Sequence, residues 1–528
     1  MSDMHLPDNA FKELKEGEVY APIIPANSNT KEQTLRTVII GILMTVFFSA
    51  AAAYIALKLG QGIETAIPIA ILAVGISVVL QKALGRASTL LENVNIIAIS
   101  ASSGLVVAGA VFVMPALFVL GLDKPSTIIH IFLMPLLGAM LGVVLLIPFR
   151  RYFVKEMHGK LPFPEGTATT EILVAGVSKG RDAIVLVYSM ILGIVFDFLA
   201  LNVQLFKDTF TTAQVSFFEP LTVKFKAVFS SNTTAAITGL GFIIGIRYAA
   251  IILAGSLFAS FIIIPLFAYL GNYIQVPVLP ATVPLSQMDY GDLFFNYPRY
   301  IGIGGIFAAG IISILKMSRV IVQAIKVGSS QLAMQFSNKH GRKKIDSTDD
   351  DMNMGLVIAL TVGILLAIFL YFRFMVLSGQ PSATLMSVVS VLIVFIISYL
   401  FISVAAWAIA MIGVNPISGM TLTTLIVSAV ILIRLGLSGD LGMVQTLLIG
   451  GIVCTALAMA GGLITQFKIG YWLGSTPKRI QSANIWGSVI ASACVAVVIV
   501  LFAKVYGFAP SAAHPHPLPA PQANAMAA

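Results

Sequence analysis

Charge is scarce in this 528-residue chain, with 32 Lys and Arg and 23 Asp and Glu making up 10% of it. Soluble globular domains carry roughly 25% charged residues. Set against 58% hydrophobic residues, so little charge cannot cover the surface of a water-soluble multidomain enzyme. Cysteine is scarcer still. Cys454 and Cys494 both sit in apolar runs, and they imply neither a disulfide framework nor a zinc site. Of the six histidines, His5, His340, His514 and His516 lie in tails or a central loop, and His130 and His158 lie near the ends of apolar runs. No His/Asp or His/Glu pair at ligand spacing falls within a run, so an intramembrane enzyme lacks its base or its metal ligands. Neither a metal nor a cofactor is implied. The first residues are polar and of mixed charge, with no short apolar core before a cleavage site, so the first apolar run is expected to stay as a membrane helix.

What fills the chain instead is apolar sequence in runs of about 20 residues, the length needed to cross roughly 30 Å of hydrocarbon. Clear runs lie at 37–59, 62–84, 94–120, 128–149, 183–206, 249–271, 299–317, 353–377, 383–412, 418–435, 441–465 and 484–507, with shorter ones at 161–177 and 233–247. The expected fold is an all-α polytopic membrane protein of about 12–16 transmembrane helices, some broken or re-entrant, in two related halves. Its segments are a cytoplasmic N-terminal stretch 1–36, a first half 37–317, an amphipathic and charged linker 318–352, a second half 353–507 and a flexible Pro/Ala tail 508–528.

The few charges then orient the bundle. Residues 1–36 and 316–351 hold 21 of the 55. With the N-terminus inside, four basic clusters fall on the cytoplasmic side: Lys82 and Arg86; Arg150, Arg151, Lys155 and Lys160; Lys316 through Lys344; and Lys468, Lys478 and Arg479 in the turn after 441–465. The net charge of +9 therefore marks membrane loops, and no nucleic-acid partner is implied.

Ionisable groups at membrane depth are costly, which makes them functional candidates. Asp197, between Phe196 and Phe198, reads either as a hydrogen-bonded packing group or as a proton-binding carboxylate. Arg247 stands at a break and could pair a carboxylate of substrate or protein. Arg373 and Arg434 are expected to snorkel to the interface. The segment Leu161-Pro162-Phe163-Pro164-Glu165-Gly166-Thr167-Ala168-Thr169-Thr170-Glu171 is the most informative. Its prolines forbid a helix before Glu165, and the small residues beyond suit a half-helix with free N–H groups facing a cavity. Glu165 and Glu171 could then accept protons or a substrate amine, with Gly166 and Thr167 lining the site. A capped cytoplasmic loop is the plain alternative.

A second break, Asn415-Pro416-Ile417-Ser418-Gly419-Met420-Thr421, offers Asn415, Ser418 and Gly419 beside freed backbone. It reads equally as a Pro-kinked turn. Glu92 and Asn93, at the mouth of a Gly/Ser-rich run, read as a gate or a helix cap. The stretch Ala52–Pro68 weakly echoes Ala405–Gly419, and the predicted topology would relate the two by inversion.

Together these segments resemble the oligopeptide transporter family, which includes the yellow-stripe-like metal–chelate transporters. The pieces that carry the likeness are Leu161-Pro162-Phe163-Pro164-Glu165-Gly166-Thr167-Ala168, Glu92-Asn93-Val94-Asn95, the 415–421 segment, and Cys454-Thr455-Ala456 through Gly470-Tyr471-Trp472-Leu473-Gly474-Ser475-Thr476-Pro477. The resemblance implies a proton-coupled symporter of small peptides or peptide-like metal chelates, drawn with about 16 membrane segments in eight-helix halves. Glu165 stands where plant-type members often have a smaller residue, which favours a bacterial peptide-type member in the inner membrane. Substrate, protons and the lipid bilayer are the expected partners, and a homodimer is left open. A passive channel remains the alternative to symport.

Overall fold

The computed structural model describes residues 6–15, 17–60, 62, 65–124, 127–177, 181–201, 203, 205–207, 209–337, 346–511, 514, 515 and 517–528. In chain order its α-helices are α1 (Leu35–Leu59), α2 (Ala66–Leu84), α3 (Leu90–Ser100), α4 (Ser102–Val113), α5 (Pro115–Val119), α6 (Thr127–Leu146), α7 (Pro164–Val177), α8 (Arg181–Leu201), α9 (Glu219–Phe225), α10 (Ala235–Ile244), α11 (Ile246–Phe258), α12 (Ile264–Leu270), α13 (Tyr290–Asn296) and α14 (Pro298–Ser337). They continue with α15 (Met354–Leu370), α16 (Ala383–Ile412), α17 (Ile417–Arg434), α18 (Gly439–Leu473), α19 (Pro477–Val505) and α20 (Pro521–Ala527). Among the described residues the only sheet is an antiparallel pair, β1 (Thr209–Thr211) with β2 (Ser230–Asn232).

Local chemistry sets where these helices begin and end. The Thr34 hydroxyl accepts the Thr37 N–H ahead of α1. At α3, Thr89 Oγ1 accepts the Glu92 N–H at 3.0 Å while the Glu92 carboxylate accepts the Thr89 N–H at 2.8 Å, a reciprocal cap. Helices α1 and α16 stop on glycines in the left-handed region, Gly60 at φ +68° and Gly413 at φ +70°, the conformation that closes a helix C-terminus and that glycine adopts without strain.

Nine helical stretches among the described residues are long and apolar enough to cross a membrane: Leu35–Lys58, Leu90–Val119, Thr127–Phe149, Ala249–Leu270, Ser347–Val376, Ala383–Ile412, Ile417–Arg434, Gly439–Leu473 and Pro477–Val505. Shorter apolar helices lie at Ala66–Ser77 and Ile191–Ala200. The chain is an all-α polytopic membrane protein.

It folds as two compact units. The first comprises residues 1–180 and 309–528. At its centre the apolar stretches of Leu90–Val119 and Gly439–Leu473 are wholly buried. Helix α18 packs against α4, α6, α16 and α17, and small residues permit the approach. A Cβ on Gly142 would lie 2.3 Å from the Ala456 carbonyl oxygen, and one on Gly109 would lie 2.2 Å from Thr455 Oγ1. Close backbone contact of this kind drives helix association in lipid, where apolar burial alone gives no preference. Buried polar side chains pair across the helices, Gln445 donating to Ser390 (2.8 Å) and Asn484 to Gln466 (2.7 Å).

Two sequence expectations meet a different structure in this unit. The run ending at 465 continues helically to Leu473, and Lys468 lies buried within it instead of in a loop. The amphipathic start of the 318–352 segment is helical, as the end of α14. Its basic residues Arg342, Lys343 and Lys344 fall outside the described residues. The tail expected to be flexible is packed: Phe508, Leu518, Ala520, Ala523 and Met526 are buried.

The second unit, residues 181–308, holds α8 to α13, the start of α14 and the strand pair. Its core gathers Ile264, Ala281, Leu285, Met288, Leu293 and Tyr297. The apolar stretch of Ala249–Leu270 is only 6% buried, as suits side chains facing lipid.

Candidate functional site

Two interrupted helices of the first unit meet at their breaks. Pro162 and Pro164 deny the backbone a helical start before residue 164, so α7 begins abruptly there. Phe163, immediately before it, is held at φ +45°, a left-handed conformation that costs a non-glycine residue roughly 1–2 kcal/mol. Its surroundings impose it: the Phe163 N–H donates to the Ala410 carbonyl near the end of α16 (2.8 Å), and its ring is buried against Trp472. Strain held in place by its neighbours is a recurrent mark of a functional site.

The contact continues one turn further. A Cβ on Gly413 would lie 2.9 Å from Pro164 Cγ and 3.5 Å from Glu165 Cγ. The start of α7 is thus pressed onto the break between α16 and α17. Glu165 is half-buried here. Gly166 is buried with Thr465 and Trp472 beside it, and Thr167 Oγ1 donates to the Pro162 carbonyl (3.1 Å). Across the junction, Asn415 Nδ2 donates to the Leu457 carbonyl midway along α18 (3.0 Å), while its buried Oδ1 has no hydrogen-bond partner among the described residues. Gly461 makes room for that side chain, since a Cβ there would lie 2.2 Å from Asn415 Nδ2. Ser418 donates to Gln522 Oε1 (2.9 Å), and the Gly419 carbonyl is taken by Thr423.

Beside Phe163 lies a buried lysine, part of the basic turn expected after 441–465. Lys468, 1% exposed, donates to the Val154 carbonyl (2.9 Å) and shares a hydrogen bond with His158 Nδ1 (3.0 Å). The rings of Tyr471, Trp472 and Phe163 surround its ammonium at 4.9, 5.2 and 5.6 Å, each within cation–π range. His158 Nε2 lies 2.9 Å from the Asn9 carbonyl. The imidazole thus bridges the Lys468 amine and the N-terminal stretch. Burial, then the neighbouring Lys468 charge, lowers the His158 pKa. An open cleft of about 470 Å³ lies alongside, lined by Phe11, Lys160, Pro162, Pro164, Thr167 and Trp472 among others. The sequence signal for this cluster is a basic residue one turn before Tyr-Trp, which hydropathy and loop charge do not distinguish from a cytoplasmic turn.

The other sequence candidates lie elsewhere. Glu171 is exposed on α7. Glu92 is buried and occupied as the cap of α3, accepting also from Thr34 Oγ1 (2.9 Å) and pairing with Arg86 (2.9 Å). Asn93 is buried, with its Oδ1 lacking a hydrogen-bond partner among the described residues. Asp197 and Arg247 belong to the second unit. There the Asp197 carboxylate accepts the Ala235 N–H at the start of α10 (2.7 Å), and Arg247 is exposed at the start of α11.

One end of the first unit gathers the basic loops. Arg150 pairs with Asp351 (2.7 Å), Lys155 with Asp349, and Gln481 donates to Asp351 (2.7 Å). The N-terminal stretch joins them: Glu32, buried, accepts from Ser475 Oγ (3.0 Å), the Thr476 N–H (2.9 Å) and Thr476 Oγ1 (2.6 Å).

Comparison with known proteins adds a further finding. The family model described as OPT oligopeptide transporter protein matches residues 32–528. The "Putative oligopeptide transporter" of Haemophilus influenzae is 26% identical over 499 residues, covering 90% of this chain and 74% of that relative.

Proposed function

The chain belongs to the oligopeptide transporter family, and from that premise we propose that it is a secondary active transporter carrying small oligopeptides in symport with protons. The observation that supports this reading is the junction of the two helix breaks, Phe163–Glu165 on Gly413–Asn415, buried against the middle of α18. Irregular backbone at membrane depth is tolerated only where it is enclosed by protein or lines a cavity. There the freed peptide groups and the Asn415 amide oxygen can bind the main chain of a peptide. The dipole at the start of α7 favours negative charge, which suits a substrate carboxylate.

Glu165 is the proposed proton carrier at this junction, because protonation would remove its charge before the site changes its exposure. Glu171 and Asp197 are the remaining carboxylate candidates. Glu92, engaged as a cap, and Asn93 would act in gating only through the start of α3. Arg247 would pair a carboxylate. In this reading the end that carries Arg150, Lys155 and Glu32 faces the cytoplasm, and the protein sits in a bacterial inner membrane.

Uptake by proteoliposomes tests the proposal. With an imposed inward proton gradient, labelled tri- to pentapeptides should accumulate well above protein-free vesicles, and a protonophore should abolish the accumulation. Equilibration without accumulation would leave a passive pathway, and no uptake of any peptide would sink the peptide reading.

A further inference from the structure

The segment from Leu518 to Ala527 reaches back into the first unit and touches the end of α1 and the start of α17. The Ala520 N–H donates to the Leu57 carbonyl (2.9 Å) and Gln522 Nε2 donates to the Gly60 carbonyl (2.9 Å). Both acceptors belong to the last turn and cap of α1, where carbonyls have no partner within the helix. The other end of the same amide, Gln522 Oε1, accepts from Ser418 at the start of α17 (2.9 Å). Ala523 and Met526 are buried on α20, which packs on α1, α4, α5 and α17. Pro521 lies against the α1 break itself, 3.0 Å from where a Gly60 Cβ would stand.

Gln522 therefore joins the break after α1 to the break before α17 with a single side chain. Residues 517–528 carry no charged side chain, and most are Ala or Pro. They place a short, neutral peptide where main-chain carbonyls and a hydroxyl are offered to peptide N–H and amide groups. We infer that the recess between Leu57–Gly60 and Ser418 is a peptide-binding subsite and that residues 518–527 are its internal occupant, which an incoming small, uncharged peptide displaces. This rests on the peptide-transport reading, since Ser418 begins α17 directly after the Gly413–Asn415 break of the proposed site. Displacement would free α17 from the end of α1, so the occupant also acts as a clamp on the two interrupted elements.

The test uses the full chain with Cys454→Ala and Cys494→Ala, carrying the pair Ser418→Cys and Gln522→Cys. A bifunctional methanethiosulfonate reagent should cross-link the pair. A synthetic peptide with the sequence of residues 518–526, or trialanine, should slow that reaction at least fivefold, and tetraglutamate should not. The cross-linked protein should lose at least tenfold in peptide uptake and recover it on reduction. Cross-linking at the same rate with and without the small peptides would make α20 a permanent structural cap and overturn the inference. So would uptake indifferent to the cross-link. Protection by peptide, with no uptake by the chain that carries only Cys454→Ala and Cys494→Ala, would keep the subsite and reject the transport reading.

Discussion

Glu165 is the side chain on which coupling is proposed to turn. It is half-buried at the first turn of α7, against Gly413, where a neutral carboxyl and a carboxylate have different costs. Glu165→Gln fixes the neutral form. Gradient-driven accumulation should fall at least tenfold while peptide exchange across the membrane without a gradient persists, and the pH dependence of uptake should flatten. Unchanged accumulation with an unchanged pH profile would move the role to Glu171 or Asp197. His158 supports a separate expectation. Its pKa is lowered in the folded protein by burial and by Lys468, so the unfolded chain binds more protons than the folded one below pH of about 6.5. Stability must then fall as pH drops through the unfolded value, the loss ending near the folded one. Tyr20, Tyr471 and Lys468 are the polar groups that surround the ring, with Glu18 partly offsetting the Lys468 charge. Thermal melts between pH 7.5 and 5 should show this loss, and His158→Gln should reduce its slope.

Among the helices, the breaks form the proposed site. Gly413 closes α16 at φ +70° and leaves no room for a Cβ beside Pro164. Gly413→Ala should cost roughly 1–2 kcal/mol for the left-handed backbone, plus the displacement of Pro164. A melting temperature lowered by several degrees, together with a weaker apparent affinity for peptide, is the expected result. A variant with both properties unchanged would show that the α7–α16 junction is not needed. That α7 starts at Pro164 and α17 just after Pro416 could be read from the chain, because proline removes a donor and clashes locally. That the two starts face the same stretch of α18 could not. It depends on glycines such as Gly461 being small where a distant side chain, Asn415, arrives.

For the protein as a whole, the ends of the chain are part of the packing. Residues ahead of α1 wrap the end of α18: Trp472 Nε1 donates to the Ala10 carbonyl (3.0 Å), Tyr20 donates to the Trp472 carbonyl (3.0 Å), and the Ile23 and Ile24 N–H groups donate to the Trp472 and Leu473 carbonyls. Composition made this stretch look like a polar cytoplasmic leader, yet Glu32 is buried among Ser475 and Thr476 donors. Deleting residues 1–24 should expose Trp472. In a Trp407→Phe, Trp486→Phe background its emission should shift to the red and become accessible to aqueous quenchers, with helicity retained. An unshifted spectrum would mean that the stretch is not what shields the α18 end.

Membrane residence, the helical class and the places where helices break were legible along the chain, because hydropathy, proline and glycine act on their immediate neighbours. The family likeness was legible for a related reason, as it is carried by short motifs in order. What had to wait for the folded protein were contacts between positions far apart. Lys468 is a loop residue by composition and a buried one in the fold, because Val154, His158 and three aromatic rings converge on it. The Ala/Pro-rich tail is disordered by composition but docks, because the carbonyls of Leu57 and Gly60 and the Ser418 hydroxyl are there to receive it. A polar group in lipid takes whatever partner the packed bundle brings within reach, and no local pattern records which partner that is.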